Sequence, residues 1–211
     1  MTGERRKAMA DRKEKRIIAL TGGVGSGKSR ILELLAREYR ADVIQTDLVA
    51  RKLQEPGNPG FQALTQSFGP EIVGEDGHLR KDVLTAMVFG KEEDRKRIDS
   101  LIHPLVWEQV KKWAGESDSP VAVVESAVLP ENPGDFFDEV WYVYTLKERR
   151  IRRLVESRGY SEERCRKMME GQALEEEFRR CATCVIDNNG SVEDVRRQVD
   201  AAINREEKSE T

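Results

Sequence analysis

Gly22, Gly27, Lys28 and Ser29 fall in the spacing G-x-x-x-x-G-K-S/T, inside the stretch "TGGVGSGKS" at 21–29. Residues of these types at this spacing bind phosphate. Glycines let successive backbone N–H groups turn inward around phosphate oxygens, and a helix starting at the lysine adds its partial positive charge. Lys28 would reach the β- and γ-phosphates, and the Ser29 hydroxyl would be a ligand for Mg2+. A chance match in a chain of this length is on the order of 1%. The alternative, a glycine turn that only lets a helix pack on a strand, leaves the Lys28-Ser29 pair unexplained. The expected anion is therefore a nucleoside triphosphate with its magnesium.

A second group of residues suggests what is done to that anion. Asp47, in "VIQTDLVARKLQEPG", follows a strand-like run, and Arg51 comes four residues later. In open α/β sheets ligands bind at the carboxyl ends of strands. A carboxylate there would take a proton from an acceptor hydroxyl, and an arginine at i+4 on the same helix face would hold an acceptor phosphate. Asp47 as a plain helix N-cap is the competing reading. Arg149, Arg150, Arg152, Arg153 and Arg158 form a basic helical stretch without a matching acidic row. Individually each is at home on a solvated surface. As a cluster they suit a lid that brings positive charge to a transferring phosphoryl group.

The elements that must position these groups are legible in the hydrophobic pattern. Mostly apolar runs at 16–20, 41–47, 120–125, 139–145 and 184–188 alternate with helical periodicity, as expected for parallel strands covered by helices. The expected fold is α/β: a three-layer α/β/α P-loop NTPase with a parallel five-stranded sheet, a helical substrate-domain insertion and a helical lid. Its core is placed at 16–52, 119–146 and 181–204, the insertion at 53–118 and the lid at 147–180. Gly159 should stop one lid helix and Ser161 cap the next. Pro104 reads as the first turn of a helix, leaving His103 beside an N-terminus, where it would cap the helix or meet a substrate phosphate. The ends, 1–15 and 205–211, read as solvated tails, and Met9 offers an alternative start.

Composition narrows the classes. The chain has 211 residues, 36% of them charged, and a formal net charge of −3, which gives no general attraction to nucleic acid or to an anionic membrane. No apolar run approaches the length of a membrane span, and no secretory leader is evident. A cytoplasmic protein is expected, as a monomer, with an oligomer left open. Three cysteines fit a reducing compartment. "CATC" at 181–184 has the spacing of redox and zinc sites, but with two histidines, both distant in sequence, ordinary thiols are the simpler reading.

Beyond these single features, an ordered series of motifs resembles the dephospho-CoA kinase family over about residues 16–204. "IIALTGGVGSGKS" is similar to its first strand and loop, "TDLVARKLQEPG" to its D-x-D-x-x-A-R…PG segment and "GHLRKDVLTAMVF" to its G-x-L-x-R segment. "LIHPLV" matches its I-H-P motif, "RGYSEERCRKMMEGQ" its lid and following helix, and "VIDNNG" its last strand and turn. The resemblance implies ATP-dependent phosphorylation of the ribose 3′-hydroxyl of dephospho-CoA, on a core related to nucleoside monophosphate kinases. It makes Asp47 the candidate general base, with Arg51 on the acceptor. Gly22, Gly23, Val24, Gly25, Ser26, Gly27, Lys28, Ser29 and Arg30 would wrap the ATP phosphates, Arg30 through its backbone. Arg153 or Arg158 would be the lid cation, Gln172 a helix residue facing the nucleotide and Asn188 part of a loop near adenine. Arg80 and His103 would close over the CoA moiety, and Glu125 would sit on the acceptor side. The chain departs from the family pattern at Gln45, which replaces the first Asp of D-x-D, at Arg30 for Thr, and at Ala127 for the proline of D-x-P-L-L. Ala182-Thr183 stands for Ala-Asp. Two rival readings remain: a P-loop kinase for another small alcohol or nucleotide, and an ATP-binding interaction protein that transfers nothing.

Overall fold

The computed structural model describes residues 15–205. The expected tails lie, but for Lys15 and Arg205, outside the described residues. Strand β1 (Arg16–Thr21) runs into the glycine loop and helix α1 (Lys28–Glu38); β2 (Asp42–Gln45) and α2 (Thr46–Leu53) follow. Then come α3 (Pro59–Phe68), α4 (Lys81–Gly90) and the long α5 (Glu92–Glu116). The chain returns through β3 (Val121–Glu125), β4 (Glu139–Tyr144), α6 (Lys147–Arg158), α7 (Glu162–Glu170), α8 (Glu175–Cys181), β5 (Cys184–Asp187) and α9 (Val192–Ile203).

The five strands form one sheet in the order β2-β3-β1-β4-β5, with β1 parallel to β3 and β4, and β4 parallel to β5. Parallel neighbours require crossover connections, so both faces must be covered, and the strands read as apolar runs for that reason. Successive side chains of β1 point to opposite faces. Ile18 and Leu20 join Val123, Trp141, Val143 and Ile186 under α1 and α9, which contribute Ile31, Leu35, Val195 and Val199. Ile17 and Ala19 are equally buried, and Tyr142 stacks in parallel on Phe178 of α8 at 5.1 Å. The sheet's register puts Leu20 opposite Glu125, so the first loop and the last residue of β3 emerge at the same edge.

The described residues fall into two compact units: 15–43 with 118–205, and 44–117. The second begins earlier than the insertion expected at 53–118, because α2 packs on α3 and α5 and buries Thr46 and Leu53. Pro104 does not start a helix. It lies inside α5, which runs unbroken for 25 residues, so His103 is a mid-helix residue rather than a neighbour of an N-terminus. A proline in a helix interior costs about 3 kcal/mol. Ile102, Val106, Val110 and Ala114 bury one stripe of α5 at helical spacing, and burying one such side chain contributes about 1.5–3 kcal/mol, so continuity wins. At the other boundary the expectation holds: Gly159 ends α6 at φ 63, and the Ser161 side chain accepts from the Arg164 backbone N–H to start α7. Among the described residues no helix is long and apolar enough to cross a membrane.

The helix that carries the loop is fixed to the sheet through Ile31, Leu32 and Leu35, of which Leu35 is fully buried. Leu35→Ala should destabilise the protein by about 2–5 kcal/mol in urea unfolding, whereas Leu34→Ala, at a half-buried neighbour, should cost much less.

Candidate active site

The site is built around a peptide-orientation problem. In a trans peptide the C=O and the following N–H point in opposite directions, and no described peptide bond is cis. Turning the N–H groups of Gly25 and Gly27 toward an anion therefore requires holding the preceding carbonyls away from it; the Ser26 N–H between them bonds the Gly23 carbonyl at 3.1 Å. The Ser26 carbonyl accepts from Thr145 Oγ1 at 2.9 Å, Asn188 Nδ2 at 2.7 Å and Arg153 Nη1 at 3.2 Å. That fixes the Gly27 N–H on the opposite side. The Val24 carbonyl accepts from Arg150 Nε at 2.8 Å, which does the same for the Gly25 N–H. The first-turn N–H groups of Lys28 and Ser29 have no partner among the described residues, as the start of α1 dictates.

Each donor is delivered by an element end. Thr145 follows β4 and Asn188 follows β5, adjacent parallel strands, while Arg150 and Arg153 lie on α6, which leaves the same edge. Asn188 is buried and receives a further bond on its carbonyl from Arg153 Nη2 at 2.8 Å. These close approaches explain the glycines. A Cβ on Gly23 would stand 2.2 Å from Arg150 Nη2, and one on Gly27, at φ +95, would stand 2.2 Å from Asn188 Nδ2. The Ser26 hydroxyl itself is buried without a partner among the described residues.

Lys28 Nζ donates to the Gly22 carbonyl at 2.8 Å and lies 3.3 Å from Glu125 Oε1 at the end of β3. Both side chains are only 12% exposed, so the lysine is held extended along the loop. Glu125, expected on the acceptor side, thus stands beside the loop lysine. Gln172 is not a helix residue: it follows α7 in a turn, where its Oε1 accepts from the Val24 N–H at 3.0 Å and from Arg150 Nη2 at 2.8 Å. Arg153 and Arg150 are half-buried, and neither meets a carboxylate among the described residues. Burial lowers the pKa of both; for Arg153 the nearby Arg149 and Arg30 add to it. Arg158, at the end of α6, is exposed. Arg30 is exposed, and its backbone N–H bonds the Gly27 carbonyl at 3.1 Å. Beside the loop opens a cleft of about 370 Å3, lined among others by Arg30, Arg153, Asn188, Ser191 and Val192, a volume in the range of small-molecule sites.

In the helical unit Asp47 occupies the first turn of α2 and is exposed. The N-cap is Gln45, without a side-chain cap bond, which removes the capping reading of Asp47. Its carboxylate has no partner among the described residues, and Arg51, one turn on, is likewise exposed. Arg80 lies at the start of α4 and bonds Asp82 at 3.1 Å, lowering the Asp82 pKa. His103 is exposed on α5 with Nε2 3.6 Å from Asp99.

Thr145 was not legible as a site residue: a threonine after an apolar strand carries no motif, and only its place beside "VIDN" in a parallel sheet would have pointed to it. The crowding at Gly27 generates a sharp expectation. Gly27→Ala adds left-handed strain of about 1–2 kcal/mol to a clash with Asn188. It should lower the melting temperature and abolish binding of inorganic triphosphate in calorimetry.

Comparison with known proteins converges on one family. The family model for dephospho-CoA kinase matches residues 16–194. A dephospho-CoA kinase of Corynebacterium glutamicum is 38% identical over 183 residues, covering 85% of this chain and 93% of the relative. A crystal structure from Thermus thermophilus superposes with a TM-score of 0.78 at 31% identity, covering 90% of this chain and 97% of that one. The dephospho-CoA kinase from Campylobacter jejuni, at 23% identity and a TM-score of 0.57 over 90% of this chain and 96% of its own, shares the fold. With a glycine loop whose carbonyls are pinned outward, a lysine laid along it and a family match over nearly all of the described residues, the chain belongs to the dephospho-CoA kinase family.

Proposed function

We propose that this chain transfers the γ-phosphoryl group of ATP to the ribose 3′-hydroxyl of dephospho-CoA, giving coenzyme A and ADP, the last step of CoA biosynthesis. The observation that carries this is the loop at 22–29. Its Gly25 and Gly27 N–H groups are aimed by bonds on the opposite face of the same peptides, so an anion meets donors there that need no rearrangement. Preorganised positioning and charge account for most of the acceleration in phosphoryl transfer.

Gly22 to Ser29 cradle the phosphates, with Lys28 exchanging Glu125 and the loop carbonyls for phosphate oxygens. Arg153 supplies charge at the loop itself, and Arg158 is the second lid candidate. Asn188 and the adjoining cleft take the base. The Ser29 hydroxyl, exposed on the first turn of α1, is a suitable hard oxygen ligand for Mg2+. That ion usually keeps several waters and binds with substrate phosphates rather than in a dedicated acidic cage. When bound, magnesium neutralises charge on the bridging oxygens.

Asp47 is the proposed base. The acceptor hydroxyl oxygen bonds to the γ-phosphorus as the bridging bond to ADP breaks, and its proton passes to the Asp47 carboxylate. An exposed carboxylate with no competing cation suits this, and Arg51 on the same helix is the proposed ligand for an acceptor phosphate. Arg80 and His103 are proposed to border the CoA moiety. Arg80 would exchange Asp82 for substrate, while His103, remote from any helix end, is assigned contact rather than proton transfer. A cytoplasmic monomer is the proposed state.

The decisive measurement is ATP-dependent 3′-phosphorylation of dephospho-CoA by the Asp47→Asn variant. The turnover rate should fall by about 10²–10⁴ with ATP affinity and melting temperature unchanged. A rate near that of the parent protein would remove Asp47 from the base role. Product formed from other alcohols but not from dephospho-CoA would overturn the acceptor assignment.

A further inference from the structure

Arg150, like Arg153, differs from the enclosed cations of its unit that are paired with carboxylates. Arg16 bonds Glu139, and Lys28 lies against Glu125. Arg150 has neutral acceptors only: the Val24 carbonyl and the amide oxygen of Gln172, both at 2.8 Å. A guanidinium stays charged under all ordinary conditions, and enclosing it without a counter-ion is costly. In the free protein burial pulls its pKa down, offset in part only by Tyr142.

Gln172 is what makes this unusual. Its oxygen accepts from two donors at once, Arg150 Nη2 and the Val24 N–H; since both partners only donate, the amide orientation follows from them. A glutamate has the same length and shape, would accept from the same two donors, and would form stronger charge-assisted bonds. A segment selected only to fasten the loop would be better served by glutamate. Glutamine holds the same geometry while leaving the charge uncancelled.

The surroundings fit that purpose. The Val24 side chain sits in a small cluster with Ile151, Leu154, Cys165 and Met169, so this residue is gripped by side chain, N–H and C=O together. Arg150 also packs directly against Gly23. Its charge lies against the back of a loop whose front is aimed at an anion. We infer that Gln172 is a positioning residue that fastens Arg150 to the phosphate loop through a neutral acceptor, keeping the guanidinium charge uncompensated for the triphosphate. The inference rests on reading the loop as the ATP site. A nucleotide then supplies the missing counter-charge, and part of the solvation cost of the free protein is recovered on binding.

Gln172→Glu separates fastening from charge. In the full-length protein the free variant should melt higher than the parent, while its affinity for ATP and for inorganic triphosphate in calorimetry should fall about tenfold. The loss should shrink as salt rises, and in steady state it should appear in the KM for ATP more than in kcat. Gln172→Leu should lower both melting temperature and affinity. Arg150→Gln, which keeps a donor but removes the charge, should weaken triphosphate binding, and Arg150→Lys should restore part of it. If the glutamate variant binds triphosphate as tightly as the parent, or if it proves unstable and Arg150→Gln retains full affinity, the charge role is wrong. Failure of the parent protein to bind either ligand would instead take down the reading of the loop, and this inference with it.

Discussion

The antiparallel disposition of C=O and N–H within a single trans peptide governs this site. An anion can be met by backbone donors only if the matching carbonyls are engaged on the far side. At Ser26 three donors share that task, and at Val24 an arginine performs it. An unpaired buried carbonyl would itself be unfavourable by about 1–3 kcal/mol, so the same bonds satisfy the loop and aim it. Much of the surrounding structure follows: parallel strands whose ends converge, a helix leaving the same edge with its arginines one turn apart, and glycines wherever a donor comes too close for a Cβ.

Charge is distributed around the loop with similar economy. Lys28 is paired with Glu125, whereas Arg150 and Arg153 face carbonyl and amide oxygens. Carbonyl oxygens orient a guanidinium without neutralising it, which leaves a positive field where the phosphates are expected. The enclosing walls are the apolar cluster around Val24 on one side and the buried Asn188 on the other, so that field is less screened than at an open surface.

Much of this was readable in the sequence because it is local. The loop is a contiguous motif, the strands are apolar runs, and Gly159 and Ser161 mark a helix boundary by their own backbone preferences. What escaped depends on contacts between distant segments. Thr145 acts on Ser26 across 119 positions, and nothing in its neighbourhood signals it. Glu125 is expected among the acceptor-side residues, and only the register of β1 and β3 shows that it also lies beside the loop lysine. Gln172 was identified as a residue near the nucleotide, but not as one held in a turn against the loop backbone. Pro104 misled for a different reason: local preference gave a helix start, and the buried stripe of α5 overrode it.

The bonds that orient the loop come from residues 145–188, well over a hundred positions downstream of the glycines they serve. During synthesis the phosphate motif leaves the ribosome early, but its set of fasteners is incomplete until the end of β5 has emerged and joined the sheet. Competence to hold a nucleotide is therefore acquired late, and a bound nucleotide certifies that the last strand has found its place.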